Sequence, residues 1–444
     1  MGRHNSISTR ATAKYPKVYM MGCPCHIIHN TAQKASQIFA EGVGFNVDDF
    51  LVDLFYYFDH STKRKAELAD FAEFCNVAYR KAIKHISVRW LSLQTAVERA
   101  LLQYSALKSY FLSKDESSVR FKRLQKAFSD EMTEVYLFFY NHVLEYFGRL
   151  NRLLQRDDPI IVIAHDKMKE FVLLLMSKFV KVLALKDKRL NEVNFTNFTN
   201  QLEDSDLQIG YVTHRKVKQL IDNGSIPETT RRKFYTAVRQ FFKRAVAYSL
   251  EHLPLDDELL KSASFVNFEK RLESNPIQAE YFVTRYDNLL PFSTPTQISR
   301  LGEEFVQYQL LNPEDIPQIV WQKALIVNDD EEEHRHYRMD VIWHHIATIK
   351  SADGRLKFNM LSKIAKLVLC IAHSNAGEER VFSMIRKNKT PFRPNLALDK
   401  TLPSLLSVKL ATDEPCHRYN PPASVVQRAG KVTWEYNKEH TRPK

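Results

Sequence analysis

From residue 25 to residue 158 the chain contains no proline, and from 45 to 147 it contains no glycine. These are the two strongest breakers of regular structure, so the first third of the chain is free to run as long helices. The apolar spacing agrees. In LQTAVERALLQYSALKSYF, Val97, Leu101, Tyr104 and Leu107 recur at helical intervals. DEMTEVYLFFYNHVLEYFGRLNRLL carries aromatic residues nearly all round, the pattern of a buried helix. PIIVIAHDKMKEFVLLLMSKFVKVLAL is expected to be a further helix opened by Pro159. In ETTRRKFYTAVRQFFKRAVAYSL, Phe234, Val238, Phe241, Ala245 and Tyr248 fall on one side of another.

Prolines 254, 276, 291, 295, 313 and 317 then cut the chain into shorter pieces, and NDDEEEHRHYR is expected to be a solvated loop. The one strand signal lies near the front, where the β-prone run KVYMMGCPC feeds a helix; a short strand is expected over residues 17–22. The final residues, 413–444, read as a polar, disordered tail.

Lys and Arg number 64 against 52 Asp and Glu, a net charge of +12 that favours an anionic partner, nucleic acid first. The five cysteines, Cys23, Cys25, Cys75, Cys370 and Cys416, are too sparse and too few to imply a disulfide framework. No apolar run approaches the ~20 residues that a membrane span needs.

Several clusters carry candidate chemistry. Cys23, Cys25, His26 and His29 are zinc-ligand types, but Cys25 and His26 are adjacent and no second paired cluster follows; a packed strand-to-helix junction with no metal is expected. Cys23 as a nucleophile with His26 as its base is the second option, and it needs a depressed thiol pKa. Arg89 and Trp90 pair a phosphate-gripping group with a base-stacking one, against the plainer role of Trp90 as a core anchor. His334, His336, His344 and His345 form no H-E-x-x-H motif. In NAGEERVFSMI, Asn375 and Glu378 have the spacing of a capping box, which leaves Glu379 without a structural task.

Three segments in this order, GCPCHIIHN, VRWLSL and HSNAGEERVFSMIRKNKTPFRPNLALDKTLPSLLSVKL, resemble the hAT (hobo and Activator) superfamily of DNA transposases. The likeness is strongest to the domesticated branch with zinc-finger MYM-type and SCAN-containing relatives, and it covers residues 1 to about 410. The resemblance implies a mainly α chain: the remnant of a ribonuclease-H-like α/β core interrupted by a large all-helical insertion. The implied division is a partial core over 1–100, the insertion over 101–350, a dimerisation region closing the core over 351–412, and the tail. Cys23 and His26 match the family's C-x-x-H motif. Trp90 matches the R-W motif that handles a flipped base. Glu379 matches the third carboxylate of its D-D-E set.

Such catalysis holds two divalent metals between three carboxylates. The family's first two aspartates precede the C-x-x-H motif, yet no carboxylate precedes Glu41 here. The expectation is therefore a transposase-derived protein starting within the core. Glu379 is then an orphan, the chain is not an enzyme, and no cofactor is needed, with Mg²⁺ relevant only if the missing aspartates are supplied. It would dimerise through Phe382, Leu396, Leu398, Leu402, Leu405 and Leu406. It would touch DNA through Arg89, Trp90, Arg380, Arg386, Lys387, Lys389 and Arg393, and act in the nucleus. The alternatives are a fragment of an active transposase and a helical interaction scaffold with no DNA role.

Overall fold

The computed structural model describes residues 6–84, 90–290, 292, 294–328, 331–393, 396, 397, 399, 401–411 and 418–440. Helix accounts for 69% of the chain and strand for 2%, so the fold is mainly α. Contacts divide the chain into two compact units, Met1–Ala376 and Gly377–Lys444.

The first unit is built on the pairing of Pro24–Val43 with Glu228–His252, two helices that lie along one another. Small residues permit the close approach: a Cβ added to Gly42 would stand 2.9 Å from the Ala237 Cβ. The first helix ends at Gly44, whose φ of +79° suits glycine, and the next, Val47–Phe58, starts three residues on. Asn46 caps that start by accepting from the amides of Asp48 and Asp49 at 2.9 and 3.2 Å.

The long helix Met132–Leu154 packs on both Pro24–Val43 and Trp90–Leu102. Its aromatic residues meet those of its neighbours around Phe39, which is stacked on Phe139 at 5.1 Å between ring centres. Tyr140, Tyr136 and Phe234 surround it edge-on at 5.6, 5.8 and 6.3 Å. Thus most aromatic positions at helical spacing are the core: Phe234, Val238, Phe241 and Ala245 are buried, while Tyr248, on the same side, is half-buried. The run containing Val97 and Leu107 is split at Gln103 into Trp90–Leu102 and Tyr104–Ser113.

Further along, polar ties fix the shorter helices. Trp343 is buried and donates its indole N–H to the Val266 carbonyl at 2.7 Å. Glu304, buried on Pro295–Gln309, accepts from the amides of Met360 and Leu361 at 2.8 and 2.9 Å. It thereby serves the open N-terminus of Asn359–Leu369 from outside.

The strand expectations are corrected by the structure. Residues 17–22 form no strand: Lys17 lies in a turn, 18–22 have no regular structure, and they lead into the helix opened by Pro24. Among the described residues the one sheet is an antiparallel hairpin of Leu325–Asn328 and Glu331–Tyr337, with Leu325 opposite Tyr337 and Ile326 opposite His336. It occupies the acidic stretch expected to be a loop. His336 anchors it by reaching Asp158 at 3.3 Å. Burial alone would raise the Asp158 carboxyl, but hydrogen bonds from His336 and Arg156 outweigh it and hold the group down at about 2.

The second unit contains the helices Ala376–Asn388, Thr401–Leu410 and Ala423–His440. The last falls in the segment read from composition as a disordered tail. No helix among the described residues is long and apolar enough to cross a membrane.

Candidate functional site

Two groups of residues concern function, one in each unit. The first is the N-terminus of Pro24–Val43. Cys23 takes the N-cap position with extended backbone, and Pro24 occupies the first turn, where its missing N–H costs nothing. One helical turn on, a ring nitrogen of His26 lies within 4.8 Å of the Cys23 sulfur. The C-x-x-H spacing therefore does bring its two residues together, as i and i+3 on a helix must.

Cys23 and Cys25 are buried, His26 is exposed and His29 is half-buried. The backbone amide of Asn375 donates to the Cys23 sulfur at 3.5 Å, tying residues far apart in sequence to this helix start. The hydrogen bond with Cys25 is the strongest influence on the Cys23 thiol and lowers it; burial opposes this, and the Asn375 amide and His26 add to the lowering. The result is a thiol pulled down to about 4. Burial, then the neighbouring His26, depress His29. Chemically this is a thiolate beside an imidazole. Two donors are also half of what a closed tetrahedral zinc site requires.

A first prediction follows from that thiol. Its ultraviolet thiolate absorbance should titrate with a midpoint of about 4 and vanish in Cys23→Ser. An unfolded thiol stays protonated up to about pH 8.5. Ionisation at Cys23 therefore favours the folded state increasingly as pH rises from about 4 towards 8.5, and the gain is lost as pH falls through 4. Cys23→Ser should flatten that part of the stability profile in urea denaturation. A midpoint near the free-cysteine value would contradict the account.

The second group lies along Ala376–Asn388 and the turn after it. Arg380, Arg386, Lys387, Lys389 and Arg393 are all exposed. Residues 377–444 hold 13 Lys and Arg against 7 Asp and Glu, half of the chain's net charge of +12. Glu378 and Glu379 sit in the first helical turn and Arg386 and Lys387 in the last, the arrangement that complements the helix dipole. Glu379 is exposed.

The residues expected at a dimer surface divide. Leu402 and Leu406 are already buried, one turn apart on Thr401–Leu410, while Leu396 and Leu405 are half-buried. Phe382 is 64% exposed and Phe392 is 96% exposed, and Val408 and Leu410 also face outward. Leu398 lies outside the described residues, as do Arg89 and the side chain of Trp90, which opens the helix Trp90–Leu102.

The cations of Glu228–His252 are mostly committed within the chain. Arg231 grips Glu228 through two bonds of 2.8 and 2.7 Å, and Arg232 reaches the same carboxylate at 3.3 Å. Arg239 is buried and donates to the Leu202 carbonyl and to Asp204, each at 2.6 Å. Arg244 lies over the Tyr248 ring at 5.7 Å. Sequence spacing put these cations on one helix but gave no sign of Asp204 arriving beside them. Arg231, Arg232, Arg239 and Asp204 line a groove of about 670 Å³ with Lys243 and the exposed ring of Phe198.

Comparison with protein-family models, with curated proteins and with solved structures gives no match to this chain.

Proposed function

We propose that residues 1–444 form a hAT-transposase-derived protein that assembles with itself and holds DNA, in the nucleus, without cutting it. The observation that carries the reading is the row of exposed cations from Arg380 to Arg393, in a segment holding half of the net charge. Cations on a helix and its following turn reach phosphates, which position a protein on DNA but carry no base information. Self-association is supported by Phe382, Phe392, Val408 and Leu410, large apolar side chains left in solvent close to those cations in sequence. The ribonuclease-H-like ancestry of the core belongs to the same proposal and rests on the three sequence segments. Glu379 brings one carboxylate where two-metal chemistry uses three, so the proposed role is binding.

The test is incubation of the full chain with Mg²⁺ or Mn²⁺ and hairpin or nicked DNA. DNA retained but uncut is the expected result. Cleavage that disappears in Glu379→Gln would replace this reading with that of a working nuclease.

A further inference from the structure

The helix Ala423–His440 has every described side chain exposed. It contains Gly430, Thr433 and the valines 425, 426 and 432, all poor helix formers. A helix of this length and composition is marginal in water when nothing packs on it. Its apolar positions show what would pack. Val425, Ala429, Val432 and Tyr436 are spaced four, three and four residues apart, the alternation of a two-stranded coiled-coil seam. At 100° per residue they share an arc of about 60°. Trp434 lies on the opposite side, with the Lys438 ammonium over its ring at 5.3 Å.

We propose that this helix pairs antiparallel with the same helix of a second copy of the chain. The spacing reads the same in both directions about a point midway between Gly430 and Lys431. Placed on a two-fold axis there, Val425 meets Tyr436 of the second copy and Ala429 meets Val432, so both small residues face larger ones. The charges flanking the seam follow the same symmetry. Arg428 and Glu435 lie on one edge, and the antiparallel arrangement sets each Arg428 beside the opposite Glu435, giving two ion pairs related by the axis. A parallel pair would set Arg428 against Thr433 and leave its charge unmatched. The helix ends reinforce the choice, since antiparallel packing places opposite dipole ends together. This goes beyond the self-association proposed through Phe382 and Val408 and stands without it.

The test uses sedimentation of the full chain carrying Phe382→Asp and Val408→Asp, two exposed positions whose replacement removes the other proposed surface. Concentration-dependent dimers are expected to persist. Arg428→Glu alone and Glu435→Arg alone should each weaken dimerisation about tenfold by placing like charges together, and the two combined should restore it. Cysteine cross-linking gives a second reading: chains with Val425→Cys mixed with chains with Tyr436→Cys should form a mixed disulfide faster than either forms with itself. A monomer at high micromolar concentration, no rescue by the double charge swap, or faster self-linking through position 425 would each overturn the pairing. If Phe382→Asp and Val408→Asp leave wild-type association unchanged, the other surface fails and this one is strengthened.

Discussion

Replacing Arg386, Lys387, Lys389 and Arg393 together by glutamine should lower affinity for duplex DNA on the order of a hundred- to a thousandfold at ~0.1 M salt. The magnitude follows from counterion release. Each phosphate neutralised contributes a log–log salt slope of about −0.9, so four lost contacts make the slope shallower by about 3.6. All four side chains are exposed, so the variant should fold as the parent does. The same substitution at Arg231, Arg232 and Arg239 is a contrasting control. Those guanidinium groups are bound to Glu228 and Asp204, and their loss should register in stability more than in DNA affinity. Fluorescence anisotropy with a labelled duplex checks both.

The largest stability effect should come from Phe39→Ala. Phe39 is fully buried and has four aromatic rings within 6.3 Å. Deleting such a ring leaves a cavity whose walls cannot close, because two long helices fixed by other contacts, Met132–Leu154 and Glu228–His252, supply the surrounding rings. The expected cost is ~3–5 kcal/mol. Domains of this kind have a total stability of about 5–15 kcal/mol. Urea denaturation should therefore show a large fall in midpoint; a change under ~1 kcal/mol would mean that Phe39 does not hold these helices together.

Periodicity made most of this core legible. Phe234, Val238, Phe241 and Ala245 recur at helical spacing and are buried together. Helix boundaries set by glycine and asparagine, as at Gly44 and Asn46, follow equally local rules. What the sequence hid depends on distant partners. A β-prone run such as residues 17–22 becomes a strand only beside another strand, and none among the described residues pairs with it. Glu331–Tyr337 becomes one because Leu325 and Ile326 lie opposite Tyr337 and His336, with His336 fixed to Asp158. Polar composition similarly concealed Ala423–His440, where Val425, Ala429, Val432 and Tyr436 share one narrow face and polar or charged residues predominate elsewhere.

At the candidate sites the division is the same. The i, i+3 spacing of Cys23 and His26 foretold their proximity; the depressed thiol owes most to the hydrogen bond with nearby Cys25, against burial, and part to the distant Asn375 amide, which no local pattern reveals. The leucines between 396 and 406 looked alike in sequence. Two of them are interior, and the apolar side chains left outside are Phe382, Phe392, Val408 and Leu410.

The central claim is that this chain binds DNA through cations reaching phosphates. It is tested most directly by measuring duplex affinity across a series of salt concentrations. The account predicts a log–log slope of about −3.6 or steeper, as four or more neutralised phosphates require, falling towards zero in the four-glutamine variant. Negligible affinity at low salt, or binding indifferent to salt, would contradict it.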